Sequence, residues 1–245
     1  MKILALSDLH GRWYKQAGAL IRLHDPDWIV LLGDMLPDFT MVSGARNRLE
    51  CQQAHWQTQA ALFESPRSPT TFIRGNREVD GFIVPSRFQS VPTDIAVRLI
   101  RLEGIPTDFG RDEDCRPYTQ EELEGELRVQ VHENPGASVV ISHVPPYGCL
   151  DEPEPDAHIG HRPLASLLRS GEFGPDGLVL CGHVHESFGI GYIPDGQDRK
   201  TLVVNAAEGY ALVSFQEGRW KVLRMETMSD LVMRLTHLES DEDAS

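Results

Sequence analysis

Ile3-Leu4-Ala5-Leu6-Ser7-Asp8-Leu9-His10 is an apolar run that stops on a carboxylate and an imidazole. A short unbroken apolar run is how a strand buried on both faces reads. Four more runs of this kind follow. Trp28–Leu32 ends on Gly33-Asp34, Thr71–Arg74 on Gly75-Asn76, Ser138–Ser142 on His143, and Gly177–Cys181 on Gly182-His183-Val184-His185. A strand that stops at such a residue presents it at its carboxyl end, the edge where open α/β sheets bind ligands. One such ending arises by chance. Five, all with nitrogen or oxygen donors, predict one shared site.

The segments between the runs set the class. Arg12–His24 carries Ala17, Leu20, Ile21 and His24 at helical spacing. Ala45–Phe63 reads as a helix with few apolar positions, expected to pack outside or to lid the site. Val91–Leu102 predicts one or two strands, and Glu103–Pro117, polar and rich in turn residues, a long loop. Thr119-Gln120-Glu121-Glu122 is a capping box, so a helix should run from Gln120 to about His132. Arg162-Pro163 starts another helix, which Ser170-Gly171 ends. Three β segments close the chain: Thr201–Asn205, Tyr210–Phe215 and Trp220–Met225. The pattern predicts an α/β fold with a mixed sheet or two stacked sheets. A single domain over residues 1–238 and a disordered acidic tail over 239–245 are expected.

A formal charge of −14 argues against long nucleic acid as partner, because phosphate backbones are held by Lys and Arg. It leaves room for a small phosphorylated substrate, since a bound dication supplies positive charge locally. The four cysteines form no C-x-x-C pair, and the N-terminus shows no signal-peptide pattern. No apolar run approaches the about 18 residues a membrane span needs. A cytoplasmic, soluble protein is the expectation; the oligomeric state is open.

The donors Asp8, His10, Asp34, Asn76, His143, His183 and His185 are too many for one tetrahedral zinc. They suit two adjacent divalent transition metals sharing a bridging carboxylate, roughly 3.5–4 Å apart in hydrolases. Ligation without thiolate suits Mn, Fe, Co, Ni or Zn, with Mn favoured. At extended strand ends, residues two apart face the same side, so Asp8 with His10 and His183 with His185 are expected to point together.

In this order the blocks resemble the calcineurin-like metallophosphoesterase family. Ser142-His143-Val144-Pro145-Pro146-Tyr147-Gly148 and Leu180-Cys181-Gly182-His183-Val184-His185-Glu186 are similar to its small Icc-related branch. The resemblance spans about residues 2 to 215. It implies a two-sheet β-sandwich flanked by helices with a dinuclear centre at one edge. It further implies that Asp8, His10, Asp34 and His185 hold one metal, that Asp34, Asn76, His143 and His183 hold the other, and that a metal-bridging hydroxide attacks phosphorus in line.

One block departs from the family pattern, which has His after the Asn. Here the sequence is Gly75-Asn76-Arg77-Glu78. A guanidinium stays protonated and cannot serve as the acid, though its planar fork suits phosphate oxygens. Arg77 therefore either clamps substrate or pairs with Glu78 or Asp80 at the surface. His158 and His161, in an acidic, Pro-bearing loop, are either pocket residues, one of them the missing acid, or exposed loop histidines. Asn205 either braces the site or caps a turn. Asn76, Arg77, His10 and His158 are the residues assigned to the chemistry. The expected activity is hydrolysis of a small phosphate ester, with a diester slightly favoured because a monoester gains more from an acid. A phosphomonoesterase or a pyrophosphate-bond hydrolase is the alternative. Another is a scaffold with a vestigial centre, as some superfamily members have become; the complete ligand set argues against it.

Overall fold

A computed structural model of the chain describes residues 1–93, 98–106, 117–136, 138–174, 176–197 and 199–242. In the first half the elements are β1 (Lys2–Ser7), α1 (Tyr14–His24), β2 (Trp28–Leu31), α2 (Ala45–Gln59), β3 (Thr70–Phe72), β4 (Leu99–Leu102), β5 (Ile105–Pro106) and β6 (Pro117–Tyr118). Then come α3 (Gln120–Glu133), β7 (Val139–Ser142), α4 (Arg162–Ser170), β8 (Leu178–Cys181), β9 (Gly189–Pro194), β10 (Lys200–Asn205), β11 (Gly209–Gln216), β12 (Arg219–Thr227) and α5 (Met228–Glu242).

The strands form two stacked five-stranded sheets, ordered β12-β11-β1-β2-β3 and β4-β7-β8-β10-β9. In the first, β1, β2 and β3 run parallel and β11 and β12 antiparallel. In the second, β4, β7, β8 and β10 run parallel and only the edge strand β9 is reversed. Alternate residues explain why the runs carry no polar gaps. Ile3, Ala5, Val30 and Leu32 meet Val139, Ile141, Leu178 and Leu180 between the sheets. Leu4, Leu6, Ile29 and Leu31 turn outward onto Tyr14, Leu20 and Ile21 of α1 and Trp56 of α2. Val140, Val179 and Val203 turn outward onto Leu123, Leu127, Leu164 and Leu168 of α3 and α4. Burying each such side chain contributes about 1.5–3 kcal/mol, so both outer layers are held by the same strands that form the middle.

Several expectations are corrected. The Val91–Leu102 stretch forms a strand only from Leu99, with 94–97 outside the described residues. The predicted loop Glu103–Pro117 contains β5, which pairs parallel with β6; residues 107–116 also lie outside the described set. Ala45–Phe63 is α2 followed by a 3-10 turn, Ala60–Phe63. It is no lid: Trp56, Ala60 and Phe63 are core residues, and the ring of Trp56 stacks on Phe63 at 5.5 Å. Its apolar residues cluster near the C-terminal end, too few for a periodic signal. The Gly-rich β9 leaves no trace in the sequence pattern, because alternating glycines carry no hydrophobic periodicity. Helix α5 runs to Glu242, and 243–245, the end of the acidic tail, lie outside the described residues. No helix of the described residues is long and apolar enough to cross a membrane.

Candidate metal centre

All five strand ends meet at one edge of the sandwich. The backbone there is not extended. Asp8, His10, Asp34 and His183 all have φ between 48° and 69°, in the left-handed region. The expectation that Asp8 and His10 face one side through extended geometry therefore fails, as does its repeat at His183. Each loop turns sharply off its strand, and hydrogen bonds hold the turns in place. Asp8 N donates to Gly33 O (3.1 Å), His10 N to Asp34 O (2.9 Å) and His183 N to Asp8 Oδ2 (2.9 Å). Left-handed backbone at non-glycine residues concentrates where function requires it.

The turns bring the donors together. Asp8, His10 and His185 form one group whose ligand atoms all lie within 4.8 Å of one another, and Asp8, Asp34 and His143 form a second. His185 Nε2 faces Asp8 Oδ1 at 3.6 Å, and His143 Nε2 faces Asp34 Oδ1 at 3.7 Å. His143 Nε2 also lies 3.0 Å from Asn76 Oδ1, while its Nδ1 lies 2.8 Å from the carbonyl of Leu32. The ring of His183 meets that of His143 edge-on at 4.9 Å.

The electrostatics suit a cation. Asp8, Asp34 and Glu78 are buried together. Burial, then Glu78 and Asp8, pushes the Asp34 carboxyl well above its ordinary range. Burial opposes ionisation of Asp8 too, but the facing His185, nearby His143 and bonds from Ser7 and the His183 amide outweigh it and hold that carboxyl low. Asp8 Oδ1 is buried and accepts no hydrogen bond. Burial also pushes His10 down to about 4 and His183 down to about 3, which keeps both rings neutral, the ligating form. Crowded buried carboxylates, a carboxylate oxygen that accepts no hydrogen bond and neutral imidazoles fit a divalent metal.

Glu78 is not the surface partner of Arg77 that the sequence suggested. Its carboxylate accepts from the backbone N–H groups of Asp34 (2.9 Å), Met35 (2.8 Å), Leu36 (3.2 Å) and Gly75 (2.7 Å). It clips the Asp34 loop to the Asn76 loop. Arg77 pairs with neither Glu78 nor Asp80: its Nη1 donates to Asp38 Oδ2 at 3.3 Å, and its N–H donates to Asp34 Oδ1 at 2.7 Å. Gln52 of α2 braces the same loops, donating to the carbonyls of Pro37 and Arg77 and accepting from Val79 N. The only sequence signal for Glu78 is an acid shortly after the strand end; nothing in the helix pattern marks Gln52.

Asn205 braces the His-x-His turn. Its amide donates to the carbonyl of Val184 (2.8 Å) and its Oδ1 accepts from Ala207 N. His158 contacts Asp151 through Nδ1 (2.9 Å), Glu152 through Nε2 (3.3 Å) and the ring of Tyr147, rather than the ligand group. The Asp151 bond, with Glu152 and Asp156 nearby, raises its pKa. Its loop is tied to the His185 turn, since Asn205 also donates to Leu150 O and Ser187 Oγ to Glu152 O.

A profile of the calcineurin-like phosphoesterases matches residues 1–187. The chain belongs to that family. No protein of curated function matches its sequence. Among solved structures of this fold, TT1561 of Thermus thermophilus superposes with a TM-score of 0.56 at 17% identity, covering 90% of this chain and 97% of that one. A dimetal phosphatase from Danio rerio superposes with a TM-score of 0.55 at 14% identity, covering 91% and 95%. Members of the family hydrolyse phosphoesters with divalent metals, and the Asp and His groups of this chain can hold such ions.

His161 is not an exposed loop histidine. It is fully buried, and both ring nitrogens lack hydrogen-bond partners. Burial, with His143 nearby, pushes it down to about 3. The unfolded chain takes up this proton near pH 6.5, so the fold's stability is intact above that value and is lost as pH falls toward 3. The loss reaches on the order of 5 kcal/mol for this one group. His161→Leu, of similar volume, should move the acid-unfolding midpoint of the metal-free protein to lower pH. An unmoved midpoint in a circular-dichroism titration would exclude His161 as a source of acid lability.

Proposed function

We propose that this phosphoesterase hydrolyses a small phosphate ester, a diester in preference to a monoester, with two divalent ions, Mn²⁺ favoured. Asp8, His10, Asp34 and His185 would hold one ion; Asp34, Asn76, His143 and His183 the other. The reading rests on three carboxylates, Asp8, Asp34 and Glu78, buried side by side, with an oxygen on Asp8 that accepts no hydrogen bond. Divalent cations offset such a charge. Bound ions of this kind activate water and neutralise charge on phosphoryl oxygens. The name of the Danio rerio structure, a dimetal phosphatase, is consistent with this reading.

The protein's own groups do the rest. Arg77 sits beside Asp34 with its side chain more than a third exposed, and exchanges its bond to Asp38 for one to a phosphoryl oxygen. Asn76 orients the same group. His158, whose pKa the hydrogen-bonded Asp151 raises, is the candidate acid on the loop next to the His185 turn. The preference for a diester follows from Arg77 standing where the family has a proton donor, and it holds only if His158 does not take over as the acid. The acidic surface disfavours long nucleic acid as substrate, and a cytoplasmic setting suits the free thiols of Cys51, Cys149 and Cys181 among the described residues.

Chelated protein assayed with bis-p-nitrophenyl phosphate and p-nitrophenyl phosphate, with Mn²⁺ added back, tests the proposal. Metal-restored cleavage, mainly of the diester, is expected. Cleavage mainly of the monoester would overturn the diester preference, and no restored turnover on either would favour the scaffold alternative. Arg77→Ala should raise KM about 10- to 100-fold, the worth of a charge-assisted hydrogen bond, with kcat little changed. Unaltered KM and kcat would return Arg77 to a surface role.

A further inference from the structure

We infer that Glu208, in the turn between β10 and β11, is a positioning residue that fixes the ring of His185 for metal binding. The inference rests on the dinuclear reading above. Glu208 Oε1 lies 3.5 Å from Nδ1 of His185, whose Nε2 points to Asp8 Oδ1 at 3.6 Å. A carboxylate on Nδ1 holds the proton there and leaves the Nε2 lone pair for the ion, the arrangement that orients metal-bound histidines generally.

The backbone points the same way. Ala206–Gly209 is a turn closed by Gly209 N donating to Ala206 O at 2.9 Å. Its third residue is Glu208, at φ 50°, where glycine or asparagine is the ordinary choice. A glutamate in left-handed conformation is costly. Its ion contacts do not repay that cost in stability. Arg12 Nη2 is 3.9 Å away, and both side chains are about half exposed or more, so the pair is worth little. A strained residue with no stability return, aimed at a ligand's second nitrogen, is placed for the site.

The turn is held by its neighbours. Asn205, at its start, holds the carbonyl between His183 and His185. Arg12, past the Asp8–His10 turn, reaches Glu208. The carbonyl of Glu208 accepts from Met228 N at 2.8 Å, which ties the turn to the first residue of α5. The carboxylate is thus presented from fixed backbone.

The test is calorimetric titration of Mn²⁺ into chelated wild type, Glu208→Gln and Glu208→Gly, with unfolding midpoints of the metal-free proteins. Wild type should bind two equivalents. Both variants should bind one of them about 10- to 100-fold more weakly. Glu208→Gly, which relieves the backbone, should unfold at or above the wild-type temperature, so a structural role cannot account for its weaker binding. Wild-type affinity for both equivalents in both variants would overturn the inference, as would weakened binding in Glu208→Gly that tracks a loss of stability. No Mn²⁺ uptake by wild type would overturn the dinuclear reading itself, and this inference with it, before any variant is compared.

Discussion

Asp34→Asn is expected to lose nearly all turnover while raising the unfolding temperature of the metal-free protein. The two effects have one cause. Asp34 is buried beside Glu78 and Asp8, and these surroundings push its carboxyl well above the ordinary range. A raised carboxyl binds its proton more tightly folded than unfolded. Its favourable share of stability is therefore present below about pH 4 and is lost as pH rises toward the folded value. At neutral pH the metal-free fold carries that penalty, and Asn removes it. Asn also keeps an oxygen to accept from Arg77 N–H. With metal present the proposed dinuclear centre predicts the reverse sign, because its shared anionic ligand would be gone. Metal electrostatics supply several kcal/mol to hydrolysis, so the loss is roughly a thousandfold or more. Turnover, metal content and the metal-free melting curve check all three. Turnover close to wild type would remove Asp34 from the centre.

Glu78→Ala should cost more stability than any single substitution of a core Val. It leaves four buried N–H donors, those of Asp34, Met35, Leu36 and Gly75, without an acceptor. An unsatisfied buried donor costs about 1–3 kcal/mol, so the sum approaches the whole stability of a typical domain. Relief of charge crowding with Asp34 and Asp8 offsets part of it. Glu78→Gln separates the two effects, since it keeps one acceptor oxygen and removes the charge, and it should fall between wild type and Ala. Denaturant unfolding of the metal-free proteins measures both. An Ala variant as stable as wild type would mean that the clip between the two loops is dispensable.

The same residues show where sequence reading succeeds and stops. Strands β1, β2, β7 and β8 are legible because each is buried on both faces, which leaves an unbroken apolar run and a sudden polar end. The capping box at Thr119 forms as read, with Glu122 N donating to Thr119 Oγ1 and Thr119 N to Glu122. The edge strand β9 is not legible, because alternate glycines erase its pattern. Glu78, Gln52 and Glu208 escape a sequence reading for a related reason. Their partners are backbone groups or ring nitrogens on other loops, and a one-dimensional pattern holds no record of them.

What the chain determined by itself is the class, the family and the set of donors at five strand ends, because hydrophobic burial and donor chemistry are written locally. What only the tertiary structure decided is how those donors converge. The left-handed turns at Asp8, His10, Asp34 and His183 replace the extended ends that local geometry favours. They persist because contacts between loops far apart in sequence outweigh their local strain. The buried state of His161 and the crowding of Asp8, Asp34 and Glu78 arise in the same way, since desolvation and charge proximity exist only once the sheets have stacked.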